Sequence, residues 1–226
     1  MPLQKLVFLN WKQNIPINYR DFAVLSAANI AFFVPPTVFH ELQTVNLGGQ
    51  NVSEYRSGAF TGEISAEMLK SAGCKYALAG HSERRQLFGE TNDCISAKVL
   101  RCLEAELIPV LCVGEVISDR ESGAYFDVIS KQLQSFRAGC IIAYEPVWAI
   151  GSGKVPTLLQ IEEMVLFIKN YIKNSAKVLY GGSVKPSNTK EICAISSVDG
   201  VLVGGASLVL SDAKEMISEA GVAGFQ

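Results

Sequence analysis

Residues 140–154 read CIIAYEPVWAIGSGK. Ile141 to Tyr144 is apolar throughout, without alternation of apolar and polar side chains, and a short run of that kind suits a strand buried on both faces, as in a parallel sheet. Glu145 stands at the end of the run. Pro146 restricts it to an extended or turn conformation, which aims the carboxylate from a rigid rim. Val147 to Ile150 then places apolar residues in a loop that ends in glycines, a pattern suited to a lid that closes over a site and expels water. A buried strand with a polar residue and a mobile loop at its carboxyl end is one unit of a β/α barrel, where the chemistry sits on that rim.

Working outward, runs of the same kind recur along the chain, and eight are expected as strands: Leu6 to Leu9, Ile30 to Val34, the region of Leu47, Tyr76 to Ala79, Pro109 to Val113, Ile141 to Tyr144, Lys177 to Leu179 and Val201 to Val203. Helical periods separate them. The best is Thr157 to Tyr171, where Leu158, Ile161, Val165 and Ile168, and then Ile172, fall on one face. Thr157 and Gln160 have the spacing in which two side chains satisfy each other's amide donors at a helix start. After Thr91, a second stripe is made by Ile95, Val99, Cys102 and Leu103. Alternating strands and helices with no Pro/Gly/Ser-rich linker point to an α/β protein with a single (β/α)8 barrel domain over residues 1–226. An open doubly wound sheet is disfavoured, because NWK and not a GxGxxG fingerprint follows the first strand.

The 226 residues carry a net charge of −2, with 49% hydrophobic and 19% charged residues. Those values exclude a disordered or low-complexity chain. With no run of Lys and Arg there is no basic stripe for nucleic acid or acidic membranes, so any anion site must be local. The six cysteines are scattered, without CxxC pairs or histidines at ligand spacing, and suggest neither zinc nor a disulfide scaffold. Met1 to Lys5 runs straight into an apolar strand, which leaves no room for a secretory leader. Phe22 to Val34 is too short to span a bilayer and reads as a helix end running into a strand. A cytoplasmic protein with reduced thiols, no metal and no cofactor is expected.

The residues just past each strand carry the chemistry. Asn10 and Lys12 follow the first, giving an amide and an ammonium on one side of the chain. GHSERR follows the fourth. There His81 precedes a helix start whose positive potential disfavours imidazolium, leaving a neutral ring able to donate a hydrogen bond. His40, on a helical stretch without polar company, reads as a surface or packing residue. Gly181, Gly182 and Ser183 follow the seventh strand and Gly204 and Gly205 the eighth; glycine turns at these two loops let backbone amides converge on a phosphate. A carboxylate base, an imidazole donor, an ammonium, a lid and a phosphate cradle together suit an aldose–ketose isomerisation through an enediolate.

The segments NWK, GAFTGE, AGHSERR, LCVGE, AYEPVWAIGSGK, YGGSV and VGGAS stand in the order found in the triosephosphate isomerase family, which the chain resembles from Asn10 to Ser207. The resemblance implies a TIM barrel that interconverts glyceraldehyde 3-phosphate and dihydroxyacetone phosphate, a step of glycolysis and gluconeogenesis. It implies Glu145 as the proton acceptor, His81 as the electrophile and Lys12 as the third catalytic residue. Asn10, Lys12, Gly151, Ser183, Gly204 and Gly205 are implied in holding the substrate. Glu83 and Cys112 match family positions near the site, and Cys112 reads first as a small buried hydrophobe. A homodimer is implied as well, through the loop Gly58 to Glu63, with Thr61 at its tip reaching the neighbour's Asn10 and Lys12.

The chain departs from this pattern in being shorter than the roughly 250 residues of a typical barrel. Two helices and a strand must fit between Lys12 and Gln50, so the helices of the first two units are expected to be short. Gln13 and Ile15 replace commoner residues where the partner's loop would meet the chain, and Ser152 replaces a lid Thr. Two other readings compete. A non-catalytic barrel that kept sugar-phosphate affinity would have lost Glu145, His81 or Lys12, and all three are present. The other is a different phosphate-binding barrel isomerase or epimerase; those that need metal require His and Asp ligands converging from several strands, and one available histidine is too few.

Overall fold

The structure, a computed structural model, describes residues 5–150 and 154–222. The strands are β1 (Leu6–Asn10), β2 (Ile30–Phe33), β3 (Asn46–Gly49), β4 (Cys74–Ala79), β5 (Ile108–Val113), β6 (Ile141–Tyr144), β7 (Val178–Tyr180) and β8 (Gly200–Val203). Each pairs in parallel with the next, and β1 pairs with β8, so the sheet closes into a barrel. All eight expected strands are present, including the one around Leu47, where the pairing of β3 with β4 slips between Leu47 and Gly48.

The runs lack visible alternation because both faces are dry. Leu6 and Phe8 point into the barrel, where Phe8 meets Phe33 and Tyr76 at ring-centroid distances of 5.4 and 4.9 Å. Val7 and Leu9 point outward into the larger core between strands and helices. The period of two therefore exists in space but both sets of side chains are apolar.

The outer layer differs between the halves. Later units carry α1 (Ala66–Ser71), α2 (Ser82–Phe88), α3 (Asn92–Glu104), α4 (Ile117–Ser122), α5 (Tyr125–Leu133), α6 (Leu158–Tyr171), α7 (Pro186–Ala194) and α8 (Leu210–Glu219). The first two carry only 3₁₀ segments, Tyr19–Leu25 and Pro36–Glu41. The expected shortening thus goes further than short α-helices: i to i+3 turns, and no α-helix, bridge these strands. Trp11, Phe22 and Phe32 fill the thin wall, with centroids 5.1 Å (Trp11–Phe22) and 6.0 Å (Trp11–Phe32) apart in edge contacts.

Thr157 and Gln160 form the reciprocal cap at the start of α6, at 3.2 and 2.9 Å. The buried stripe of that helix is Ile161, Met164, Val165 and Ile168; Leu158, expected on it, is exposed, because it lies in the first turn at the rim. His40 is on the surface as expected but has polar company, lying 3.9 Å from a Glu41 carboxylate oxygen that sequence spacing on a regular helix did not bring to mind. Among the described residues no helix is long and apolar enough to cross a membrane.

Candidate active site

The carboxyl ends of the strands open on a cavity of about 450 Å³. It is lined by Asn10, Lys12, His81, Glu145, Ser183, Gly204 and Gly205, which the sequence reading drew from the ends of five strands, together with Ile150, Gly181 and Gly182. Gly151 and Ser152 lie outside the described residues. Thr61 is exposed in its loop and does not line this chain's own cavity.

Glu145 is the first residue past β6, and its N–H still donates to Val113 O at 2.8 Å, so the strand ladder holds its backbone. The side chain is nearly buried, at 2% exposure. One carboxylate oxygen accepts from the backbone N–H of Ser82 at 3.0 Å, and the other lies 3.2 Å from His81 Nε2. A side chain at position 181 would bring its Cβ to 3.0 Å from Glu145 Cγ, so glycine there leaves the carboxylate its space.

His81 caps α2. Its Nδ1 accepts from the N–H of Glu83 at 3.3 Å, so the ring proton is on Nε2, the atom that faces Glu145 and the cavity. The expectation of a neutral donor thus has a local cause beyond the helix field, since an imidazolium has no lone pair on Nδ1 for that bond.

Lys12 stands across the cavity with an unusual backbone, φ +54°. For a side-chain-bearing residue this left-handed region costs energy and persists only where neighbours enforce it. Two amides enforce it. Lys12 N–H donates to Asn10 Oδ1 at 3.0 Å, and Gln50 Nε2 donates to Lys12 O at 2.7 Å and to Phe33 O at 3.0 Å. The ammonium meets Glu83 Oε1 at 2.6 Å. Gly204 faces its stem: a Cβ there would lie 3.2 Å from Lys12 Cε.

The loop after Glu145, expected to act as a lid, begins as a 3₁₀ turn, Val147–Ala149. Its base is tied down by Glu115, fully buried, whose Oε1 accepts from Trp148 Nε1 at 3.0 Å and from Tyr144 Oη at 3.1 Å. Burial pushes the Glu115 carboxyl above its usual range, opposed by the hydrogen bond from Trp148, and burial likewise raises Tyr144. Ser183 Oγ donates to Ala149 O, joining the loop after β7 to the lid. Cys112 is fully buried beneath Glu145, and burial pushes its thiol well above the ordinary value, so it remains a thiol.

Sequence reasoning brought out neither Gln50 nor Ser82 nor Glu115. Gln50 and Ser82 act through an amide side chain and a backbone N–H whose partners lie elsewhere in the chain. Glu115 does carry a signal: an acidic residue just past an apolar run, in LCVGE.

The sequence model of the family described as triosephosphate isomerase matches residues 5–220. A triosephosphate isomerase of Francisella philomiragia is 38% identical over 96% of this chain and 98% of its own length. One of Endomicrobium trichonymphae is 41% identical over 88% of this chain and 92% of its own. Among solved structures, triosephosphate isomerase from Bartonella henselae superposes with a TM-score of 0.87 at 33% identity, covering 96% of this chain and 98% of that one. Fold, site geometry and full-length similarity agree, and the chain belongs to the triosephosphate isomerase family.

Proposed function

We propose that this chain interconverts glyceraldehyde 3-phosphate and dihydroxyacetone phosphate by proton transfer through an enediolate. The observation that carries the reading is the pairing of a buried carboxylate with an imidazole Nε2–H at 3.2 Å on the wall of a cavity that also holds an ammonium and two glycine turns. Glu145 exchanges its Ser82 N–H for the substrate's C–H and takes the proton from the carbon beside the carbonyl. His81 Nε2–H donates to the carbonyl oxygen as negative charge develops there, and the ring relays the proton of the neighbouring hydroxyl to that oxygen, so that the hydroxyl becomes the new carbonyl. Lys12 and Asn10 stabilise the same oxygens, and Glu145 returns the proton to the neighbouring carbon. Ser183, Gly204 and Gly205, with Gly151 of the lid, hold the phosphate, and lid closure keeps water from the enediolate. The residues need no metal or cofactor for this chemistry.

The working form is a homodimer in the cytoplasm. Supporting the dimer, Ile15, Ile17, Leu87 and Phe88 are exposed, and Tyr55 stacks at 4.0 Å on Phe60 of the loop that carries Thr61. Apolar groups of this size gain by burial against a second copy. Gln13 and Ile15 tune the strength of the dimer.

The test is turnover of glyceraldehyde 3-phosphate by the purified chain, without added metal, across a dilution series. Rapid turnover that declines on dilution fits the reading and the dimer; binding of inorganic phosphate without turnover at any concentration would overturn the catalytic assignment.

A further inference from the structure

The geometry points to Gln132, on the outside of the barrel, as a positioning residue that holds the backbone of Glu145 through Gly114. The inference rests on Glu145 being the base. It starts from a gap in the ladder. Successive residues of a strand direct their backbone groups to alternate neighbours. Past β5, Val113 O and Glu115 O accept from the N–H groups of Glu145 and Val147, so the odd residues serve β6. The even residues, Cys112 and Gly114, therefore face the side of β4.

β4 has ended there. Its register pairs Ala79 with Leu111, and after Gly80 the chain turns into α2 to present His81 and the Ser82 N–H. Side chains take over the missing partners. Arg85 Nη2 donates to Cys112 O at 3.1 Å, while its Nε donates to Gly80 O at 2.9 Å. Gln132, buried on α5, meets both groups of Gly114: its Oε1 accepts from the N–H at 2.7 Å, and its Nε2 donates to the carbonyl at 2.9 Å. A carboxamide presents one acceptor and one donor side by side, the same pair a neighbouring strand would offer.

Gly114 is also the point of closest approach to the base. A Cβ at this position would fall 1.8 Å from Glu145 O, closer than any side chain allows, so the Gly114 backbone lies directly against the Glu145 carbonyl. Movement of Gly114 is transmitted to the pivot from which the carboxylate reaches substrate. Gln132 touches neither the cavity nor Glu145, and its effect on catalysis passes through that one contact.

Gln132→Met keeps the length of the side chain and removes both hydrogen bonds. Because a displacement of about 1 Å at a reacting group costs up to about 10²-fold, kcat is expected to fall roughly 10- to 100-fold. KM and inhibition by inorganic phosphate should move less than about twofold, since the phosphate cradle lies on other strands. In a Glu145→Gln background the same substitution should cost under about twofold, the ordinary error of additivity, because the base it positions is already gone. An equal fall in both backgrounds, or an undiminished kcat in Gln132→Met, would overturn the inference. If Gln132→Met does not fold, Gln132→Glu is read instead: it keeps the acceptor for the Gly114 N–H and should give a smaller fall with the same cancellation. Full turnover by Glu145→Gln alone would overturn the assignment of the base, and this is read independently of any Gln132 variant.

Discussion

The wall after β1 and β2 is made of single 3₁₀ segments, whereas from β3 onward the connections carry α-helices. Both nonetheless deliver side chains to one cavity. In the helical part, Glu145 and His81 are set by strand ladders and a helix start. In the thin part, Asn10 closes the β1 ladder and Lys12 is held by side-chain amides, its N–H by Asn10 Oδ1 and its carbonyl by Gln50, while at the opposite ends of the strands Asn46 grips Ala27 O and Ile30 O and Asn29 grips Lys5 O at 2.8 Å. A barrel can therefore lose helical backing on one side when polar side chains take up the strand-end carbonyls and aromatic rings fill the space.

The comparison assigns proton transfer to the helical half. Glu145→Ala is expected to lower kcat by about 10²- to 10⁴-fold, the usual range for a general base, with little change in the urea midpoint. Steady-state kinetics alongside urea denaturation checks this, and near-normal turnover would break the division of labour.

Stability of the thin half should hang on its rings. Phe22→Ala opens a void against Trp11 and Phe32 and is expected to cost about 3–5 kcal/mol, measured by urea unfolding. A cost below about 1 kcal/mol, the scale of an ordinary surface substitution, would show that the aromatic packing does not carry this wall.

A smaller effect is expected from Gln50→Leu. It removes the side-chain donor of Lys12 O and one of the two donors of Phe33 O, which keeps the Trp11 N–H at 3.0 Å, and should cost roughly 1–3 kcal/mol of stability, the scale of one unsatisfied group. Release of the strained Lys12 backbone should also raise KM. If KM is unchanged, the left-handed turn at Lys12 is held without Gln50.

Most strands were legible because they are dry on both faces, so that runs such as Pro109 to Val113 contain no polar residue at all; β3 was faint, because Asn46–Gly49 offers Leu47 as its single large apolar residue. Helix α6 was legible through its capping pair. The 3₁₀ segments were not: Tyr19 to Leu25 has aromatic and apolar residues that fit either helix type, and nothing in its local sequence selects the tighter one. At the site, Glu145, His81 and Lys12 announced themselves as charged or titratable groups at strand ends. The groups that hold them did not, because Gln50, Ser82 and Gln132 act through amides and backbone N–H groups whose partners are distant in sequence. Gly114 carries no signal in the local sequence; only the position of the Glu145 carbonyl reveals why no side chain fits.

The most direct test of proton transfer by Glu145 through an enediolate is isomerisation in D2O, followed by NMR of the product. A carboxylate that takes the proton and exchanges it with solvent before returning it will leave carbon-bound deuterium at the position beside the carbonyl, and Glu145→Ala will lose that label together with turnover. Partial labelling fits a carboxylate that hands some of the original protons straight back while water is excluded; turnover and carbon-bound label in Glu145→Ala equal to those of the wild-type chain would contradict the account.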